Sequence, residues 1–484
     1  MHINAKLVVG IGVIPHVKEP VKVIVLIRVL VPQMQYIVVL IVTIPAKADV
    51  KMAAKTLAKV SVSQVVVENV QGVVAMDVKH LVKLDAMELQ ANKAPFREIP
   101  GGWQAGSSKS ITFIVTKDCQ LACKYCYLVG KNTSERMSFD VARSATDYIL
   151  SMEKDPLFAF ESVIWDFIGG EPFLEIDLID KICDYIKCEL FRLNHHWFNS
   201  YRFSFSTNGI NYASEKVQKF IKKNLDHLSI GITIDGTKDK HDLNRIYKRQ
   251  DNEQEHGSYD DVVKNIPLWL SQFPDGGTKV TISSNDIPFI KESVLHLYGL
   301  GIHDVSINCV FENVWKDGDD QLLEKQLIEL ADTIIDNELY KDFACSFFSE
   351  TIGKPLDPEN DNNNWCGAGK MLAIDAAGNF YPCTRFAQYS LRNKCARIIG
   401  NITEGINRNK VRPFLCLTRT DQSRLECIEC DVASGCAWCQ GENYDSADSD
   451  TIFQRSTAIC KMHKARVRAN NYYWNRLYFK ENNK

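Results

Sequence analysis

The first 95 residues contain no cysteine and a single aromatic residue, Tyr36. Without large aromatic side chains, this stretch has little from which to build a core. The chain also lacks an excess of either charge. Its 57 Lys+Arg against 60 Asp+Glu leave a net charge of -3, which gives no reason to expect a nucleic-acid partner. Met1 to Gly10 lack the signal-peptide order of basic end, apolar run and small-residue cleavage site. A clean membrane span is missing too. Val21 to Ile44 is apolar, but Arg28, Pro32, Gln33 and Gln35 interrupt it, where a span needs about twenty mostly apolar residues. A cytoplasmic protein with no membrane partner is expected. The length of 484 residues suits two or three domains.

Valine is what the N-terminal stretch has in excess, and it is periodic. Ala5, Val9, Val13, Val17, Val21, Val25 and Val29 are spaced by four, and after a slip the series resumes at Val38, Val42, Ala46, Val50, Ala54, Ala58, Val62, Val66, Val70, Val74, Val78, Val82 and Ala86. Four residues advance a helix by about 400°, so such a stripe drifts about 40° per step and circles the helix. Strands repeat every two residues. The genetic code offers a better account. Cysteine codons TGT and TGC, read one base late, give GT-any and GC-any, which encode valine and alanine. A Cys-x-x-x repeat read in that frame puts Val or Ala at every fourth position. The preceding codon must then end in T, which forbids Lys, Gln, Glu, Met and Trp there. The preceding residues, from Asn4, Val8 and Gly12 to Asp77, Leu81 and Asp85, include none of these. Residues 1–86 therefore read as an unstructured, out-of-frame shadow of an upstream cysteine-repeat peptide, with the enzyme proper starting near Met87. That peptide is the expected substrate partner.

All 16 cysteines lie between Cys119 and Cys460. In a reducing cytosol this density favours metal ligation over disulfides. The β-branched and aromatic run Ser110–Thr116 predicts a buried strand. It leads into Cys119, Cys123 and Cys126, whose spacing lets one loop place three thiolates around a [4Fe–4S] cube with one iron left free. A structural zinc would want a nearby fourth ligand, and no further cysteine follows until Cys183. A second predicted strand, Val163–Ile168, ends in Gly169-Gly170-Glu171-Pro172. Glycines allow close backbone approach, and Glu171 can accept from an ammonium. Further strands are expected at 202–206, 228–234, 279–283 and 305–308, with helices such as Phe139–Ser151 between the strands.

These motifs, from about Ser110 to Cys460, resemble the radical S-adenosylmethionine (SAM) superfamily. The resemblance implies an α/β fold, a partial (β/α)6 TIM-type barrel, over 110–335, after a lead-in at 87–109. It implies that the free iron chelates SAM, and that electron transfer cleaves SAM to methionine and a 5′-deoxyadenosyl radical. It also implies SAM contacts from Gly169, Gly170, Glu171, Pro172, Ser206, Asn208, Asp235 and Arg245. No catalytic acid or base is read from the sequence.

The C-terminal third carries Cys366, Cys383, Cys427, Cys430, Cys436, Cys439 and Cys460. Their order resembles the cysteine-rich SPASM extension of peptide-modifying radical SAM enzymes, here 336–484. The resemblance implies two auxiliary [4Fe–4S] clusters. Cys366, Cys383 and Cys439 would hold the first, and Cys427, Cys430, Cys436 and Cys460 the second. A fourth ligand to the first is not evident. Cys345, Cys395 or Cys416 could supply it, or the site is open. Cys183, Cys188 and Cys309 are expected in the core. The expected activity is maturation of the cysteine-repeat peptide by thioether cross-linking, with a flavodoxin- or ferredoxin-like reductant. The alternatives are a sulfatase-type maturase forming formylglycine, and a non-catalytic electron-transfer or peptide-binding protein.

Overall fold

The computed structural model of the chain describes residues 108–249, 254–350, 352, 366–433, 436 and 438–482, together with the backbone of 21–31, 34–44, 64–69 and 72–77. The chain divides into two compact units, Met1–Glu98 and Ile99–Lys484.

In the first unit, β1 (Val21–Val31) and β2 (Met34–Ile44) pair antiparallel from Val21↔Ile44 to Val31↔Met34. β3 (Gln64–Asn69) and β4 (Gly72–Asp77) form a second hairpin. β-Branched valine favours extended backbone whatever selected it. The expectation that residues 1–86 build no core concerns side chains that lie outside the described residues.

The second unit is a mixed α/β fold on parallel strands. β5 (Ser108–Thr116), β6 (Ser162–Gly169), β7 (Tyr201–Thr207) and β8 (Leu228–Ile232) pair side by side in parallel. Between them run α1 (Phe139–Ser151), α2 (Ile176–Arg192) and α3 (Glu215–Asn224). α1 starts where Ser138 caps the Val141 N–H, and it buries Ala142, Ala145 and Ile149. The sheet faces are filled by aromatics: Phe113 stacks on Phe167 at 5.6 Å, and Phe167 on Phe205 at 5.3 Å.

After α4 (Lys238–Asn244), β9 (Gly277–Ile282), β10 (Asp304–Cys309) and β11 (Ala344–Cys345) form a separate parallel sheet. No backbone ladder joins β8 to β9. Side chains bridge the seam instead. Thr278 Oγ1 donates to the Ile232 carbonyl at 2.7 Å and accepts from the Ile234 N–H at 3.1 Å, and Trp269 Nε1 donates to the Ile230 carbonyl at 2.8 Å.

The cysteine-rich third is continuous with the sheet of β5 to β8. β12 (Leu372–Ile374) pairs parallel with β5, and β13 (Asn379–Tyr381), β14 (Gly400–Asn401) and β15 (Gly405–Ile406) extend the edge. A final helix packs back onto the helix Asp319–Asp336 through Arg468 to Glu324 at 2.6 Å and Arg476 to Asp332 at 2.7 Å. Among the described residues, no helix is long and apolar enough to cross a membrane.

Candidate functional site

β5 delivers the chain into the loop of Cys119, Cys123 and Cys126. Its shape comes from backbone pairing with the segment after α4. Ala122 N–H donates to the Ile246 carbonyl at 2.8 Å, Lys124 N–H to Asn244 at 3.0 Å, and Lys248 N–H to Gln120 at 2.8 Å. Cys119 is buried, and Cys123 and Cys126 are half-buried. Burial, then the nearby Glu171 charge, pushes the Cys119 thiol up to about 12, and burial also raises Cys123. Cys119 and Cys123, held this way, favour the protonated form until a cation replaces the protons, because a bound metal inverts the local charge balance.

Against this loop lies the turn after β6. A Cβ on Gly170 would stand 2.1 Å from the Asp118 carbonyl oxygen and 2.8 Å from Cys119 Cβ, and one on Gly169 would stand 2.4 Å from the Thr116 carbonyl oxygen. Only glycine fits at either position. Glu171, 1% exposed, caps the short turn that begins at Pro172. Its Oε1 accepts from Thr207 Oγ1 at 2.6 Å and Phe173 N–H at 3.1 Å, and its Oε2 from Asn208 N–H at 2.7 Å. Burial raises the Glu171 carboxyl despite these bonds. A carboxylate has about four lone-pair sites, so Oε2 keeps room for an ammonium. Asn208 Nδ2 reaches Gln120 Oε1 at 3.0 Å, tying the end of β7 to the cysteine loop.

After β8 comes a buried charge network. Tyr125, between two loop cysteines, donates to Asp235 Oδ2, and Arg245 Nη1 donates to Tyr125 Oη at 3.1 Å. Lys240 Nζ, fully buried, donates to the Thr281 carbonyl at 3.0 Å and lies 3.9 Å from Asp235 and 3.6 Å from Asp286. Burial alone would raise the Asp235 carboxyl, but Lys240, Arg245 and His241 outweigh it and hold it below the usual range. Arg245 Nε is buried with no partner among the described residues. Ser206 accepts from Lys279 Nζ at 3.3 Å. Gln120, Tyr125, Lys240 and Asp286 are members of this site that sequence reasoning missed.

The C-terminal cysteines fall into two groups. Cys366, Cys383 and Cys439 lie close enough to act on one another's charge. Burial and then Cys439 push Cys366 up to about 11, and burial, Cys366 and Cys439 raise Cys383. Arg385 joins this group to the first loop. Its guanidinium stands 4.2 Å over the Tyr127 ring, and it donates to Glu312 at 2.9 Å. Cys427, Cys430, Cys436 and Cys460 line a cavity of ≈ 210 Å³ that Cys439 also borders, and Arg455 Nη2 donates to Cys436 Sγ at 2.9 Å. Of the thiols considered as a fourth ligand to the first group, Cys345 sits on β11 near Arg466, while Cys395 and Cys416 are exposed. Cys183 is buried, but Cys188 is exposed, contrary to the core expectation. Five residues along α2 turn it to the outer face.

The family model described as Radical SAM superfamily matches residues 113–283. The chain carries a radical SAM domain. Such a domain implies a [4Fe–4S] cluster and SAM, and the residues present fit both: three convergent thiols, a glycine turn that leaves no room for a side chain, and an unpartnered arginine nitrogen beside them. An uncharacterized protein of Methanocaldococcus jannaschii is 30% identical over 203 residues, which is 42% of this chain and 63% of that protein. A cysteine-type anaerobic sulfatase-maturating enzyme of Clostridium novyi is 28% identical over 171 residues, 33% of this chain and 40% of that enzyme. The chain thus spans less than two thirds of each of these relatives. The solved structure of native anSMEcpe with bound AdoMet and Cp18Cys peptide shares the fold, with a TM-score of 0.57 at 19% identity over 78% of this chain and 99% of that one.

Proposed function

We propose that the chain is a radical SAM/SPASM maturase that modifies a ribosomally made cysteine-repeat peptide by thioether cross-linking. One observation carries the reading. The loop of Cys119, Cys123 and Cys126 is fastened to the ends of three consecutive parallel strands, through Glu171 after β6, Asn208 after β7 and Asp235 after β8. Ligands of barrel-type α/β folds sit at the C-terminal ends of strands. The parallel strands, with a seam bridged by Thr278, support a partial (β/α)6 barrel.

When bound, the cluster and SAM supply a 5′-deoxyadenosyl radical by reductive cleavage. The chain's own residues do the holding. Cys119, Cys123 and Cys126 would ligate the cluster, and Gly169, Gly170 and Pro172 shape the turn that lets the backbone come close. Glu171 Oε2 would accept from the SAM ammonium, and Arg245 would answer its carboxylate. Asn208 and Asp235 fix the walls, and Ser206 lies at the end of β7. Cys366, Cys383 and Cys439, and separately Cys427, Cys430, Cys436 and Cys460, would hold two auxiliary clusters. A flavodoxin- or ferredoxin-like protein would deliver the electron.

The Val/Ala repeat of residues 5–86 supports the Cys-x-x-x peptide as substrate, and the peptide in the anSMEcpe structure supports a peptide in general. A second reading, formylglycine formation, is favoured by the sulfatase-maturating relative. Co-expression of the in-frame upstream peptide with the chain, read by mass spectrometry, separates them. Thioether formation removes two hydrogens per bond and consumes a thiol. A cysteine converted to an aldehyde supports the second reading, and an unmodified peptide with no 5′-deoxyadenosine released refutes both.

A further inference from the structure

Arg455 lines the same cavity as Cys427, Cys430, Cys436 and Cys460 and is 5% exposed. Its Nη2 donates to Cys436 Sγ at 2.9 Å and its Nη1 to Ser423 Oγ at 3.5 Å, and its guanidinium stands 4.4 Å over the Trp438 ring. Trp438 lies between Cys436 and Cys439 in sequence, so its ring face holds the cation beside the thiols. A buried charge calls for a counter-charge. Among the described residues, no carboxylate pairs with Arg455. Glu442 lines the cavity too, but its carboxylate is 3.6 Å from Arg385 Nη1 and accepts from Ser446 Oγ at 2.8 Å. The other cysteine group shows the contrast. Arg385, two residues after Cys383, has Glu312 at 2.9 Å as well as Glu442, so protein carboxylates balance its charge. The charge of Arg455 is left for whatever the four thiols hold.

We infer that Arg455 raises the redox potential of the metal group held by Cys427, Cys430, Cys436 and Cys460, through a charged hydrogen bond to the Cys436 sulfur. The inference rests on the proposed reading that these thiols hold an iron–sulfur cluster. The residues fit such a group, since four thiols border one cavity of ≈ 210 Å³ beside a buried cation without a carboxylate. A cluster gains one negative charge on reduction. A neighbouring cation therefore stabilises the reduced form more than the oxidised form, and hydrogen bonds to the sulfurs tune the potential as well. Burial spares Arg455 from screening by salt. A raised potential suits an electron acceptor. After the 5′-deoxyadenosyl radical has taken a hydrogen atom from a substrate carbon, a substrate thiol loses its proton and its sulfur bonds that carbon. One electron is left over, and it reduces an oxidised cluster. Arg455 acts on this step through Cys436, as a positioning residue rather than a catalytic one.

The test uses the full chain, purified anaerobically with its clusters, in a redox titration followed by electron paramagnetic resonance. The signal of this cluster is the one that Cys427→Ser removes, and the signal of the first loop is the one that added SAM alters. Arg455→Met, which removes both charge and donor, should lower the midpoint potential of the first of these signals and leave the others in place, with iron content equal to the parent's. Arg455→Gln, which can still donate to Cys436 Sγ, should lower it less. An iron-replete Arg455→Met protein with an unchanged potential overturns the inference but leaves the proposed cluster standing. So does a shift of all signals together, which would report a general change of fold. If Arg455→Met loses iron, Arg455→Gln decides on its own potential. Loss of the cluster from both variants would mean that Arg455 builds the site rather than tunes it, and also overturns the inference. If Cys427→Ser changes neither iron content nor any signal, the second auxiliary cluster falls and the inference with it.

Discussion

Around Cys119, Cys123 and Cys126, nearly every polar group has a protein partner, whereas around the C-terminal cysteines several have none. The first loop is laced to 244–248 by backbone bonds, and Glu171, Asn208 and Asp235 are each engaged. In the C-terminal region both amide atoms of Gln440, Nδ2 of Asn443 and Nε2 of His463 are buried without partners among the described residues. Each such group costs about 1–3 kcal/mol. The loop is therefore shaped by the sheet, while on the proposed reading the C-terminal region needs its bound clusters to complete its fold.

The largest effect should come from the first loop. Replacing Cys119, Cys123 and Cys126 with alanine should abolish SAM cleavage and remove one cluster, about four iron atoms, with the C-terminal clusters intact. Release of 5′-deoxyadenosine by this variant would end the assignment. Next, Cys427→Ser should stop peptide modification while SAM cleavage continues. Modified peptide from a folded Cys427→Ser protein would mean the second group is dispensable for turnover.

Chelation of iron tests the contrast itself. Hydrogen exchange should rise sharply at 427–433 and 440–446 while the amides of Ala122 and Lys124 stay protected. Equal exposure of both regions would show that the loop, too, depends on its metal. A smaller effect is expected from Glu171→Gln. The new amide donor must oppose either Asn208 N–H or the Thr207 and Phe173 donors, so the melting curve should show a loss of about 1–3 kcal/mol, and SAM binding should weaken with it. Unchanged melting and SAM binding would place the SAM ammonium elsewhere.

The parts legible in the sequence were those written by local pattern. The strands ending at Thr116, Gly169 and Thr207 were marked by β-branched and aromatic runs, and the cysteine loop and glycine turn by spacing. The Tyr125–Asp235–Arg245 contact and the Lys240–Asp286 pair were not legible, because they join segments more than forty residues apart through packing of α4 under the strand ends.

A further effect, on stability alone, lies where the two regions join. Lys109 on β5 is 2% exposed, donates to the Lys370 carbonyl at 2.6 Å just after Cys366, and stands 4.7 Å over the Phe158 ring. Burial lowers its pKa to about 7 from 10.5, with Asp155 opposing the shift. Between those values the unfolded chain holds a proton that the folded chain has released. Stability from this group therefore rises with pH from about 7 to 10.5 and is lost as pH falls through 7. Lys109→Met removes that dependence along with the bond to Lys370. Denaturant midpoints of parent and variant, compared from pH 7 to 10, should diverge steadily in the parent's favour. Parallel curves would mean that Lys109 keeps its charge in the fold, held by Asp155 and the ring faces, and that the joint between the two regions is an ionic one.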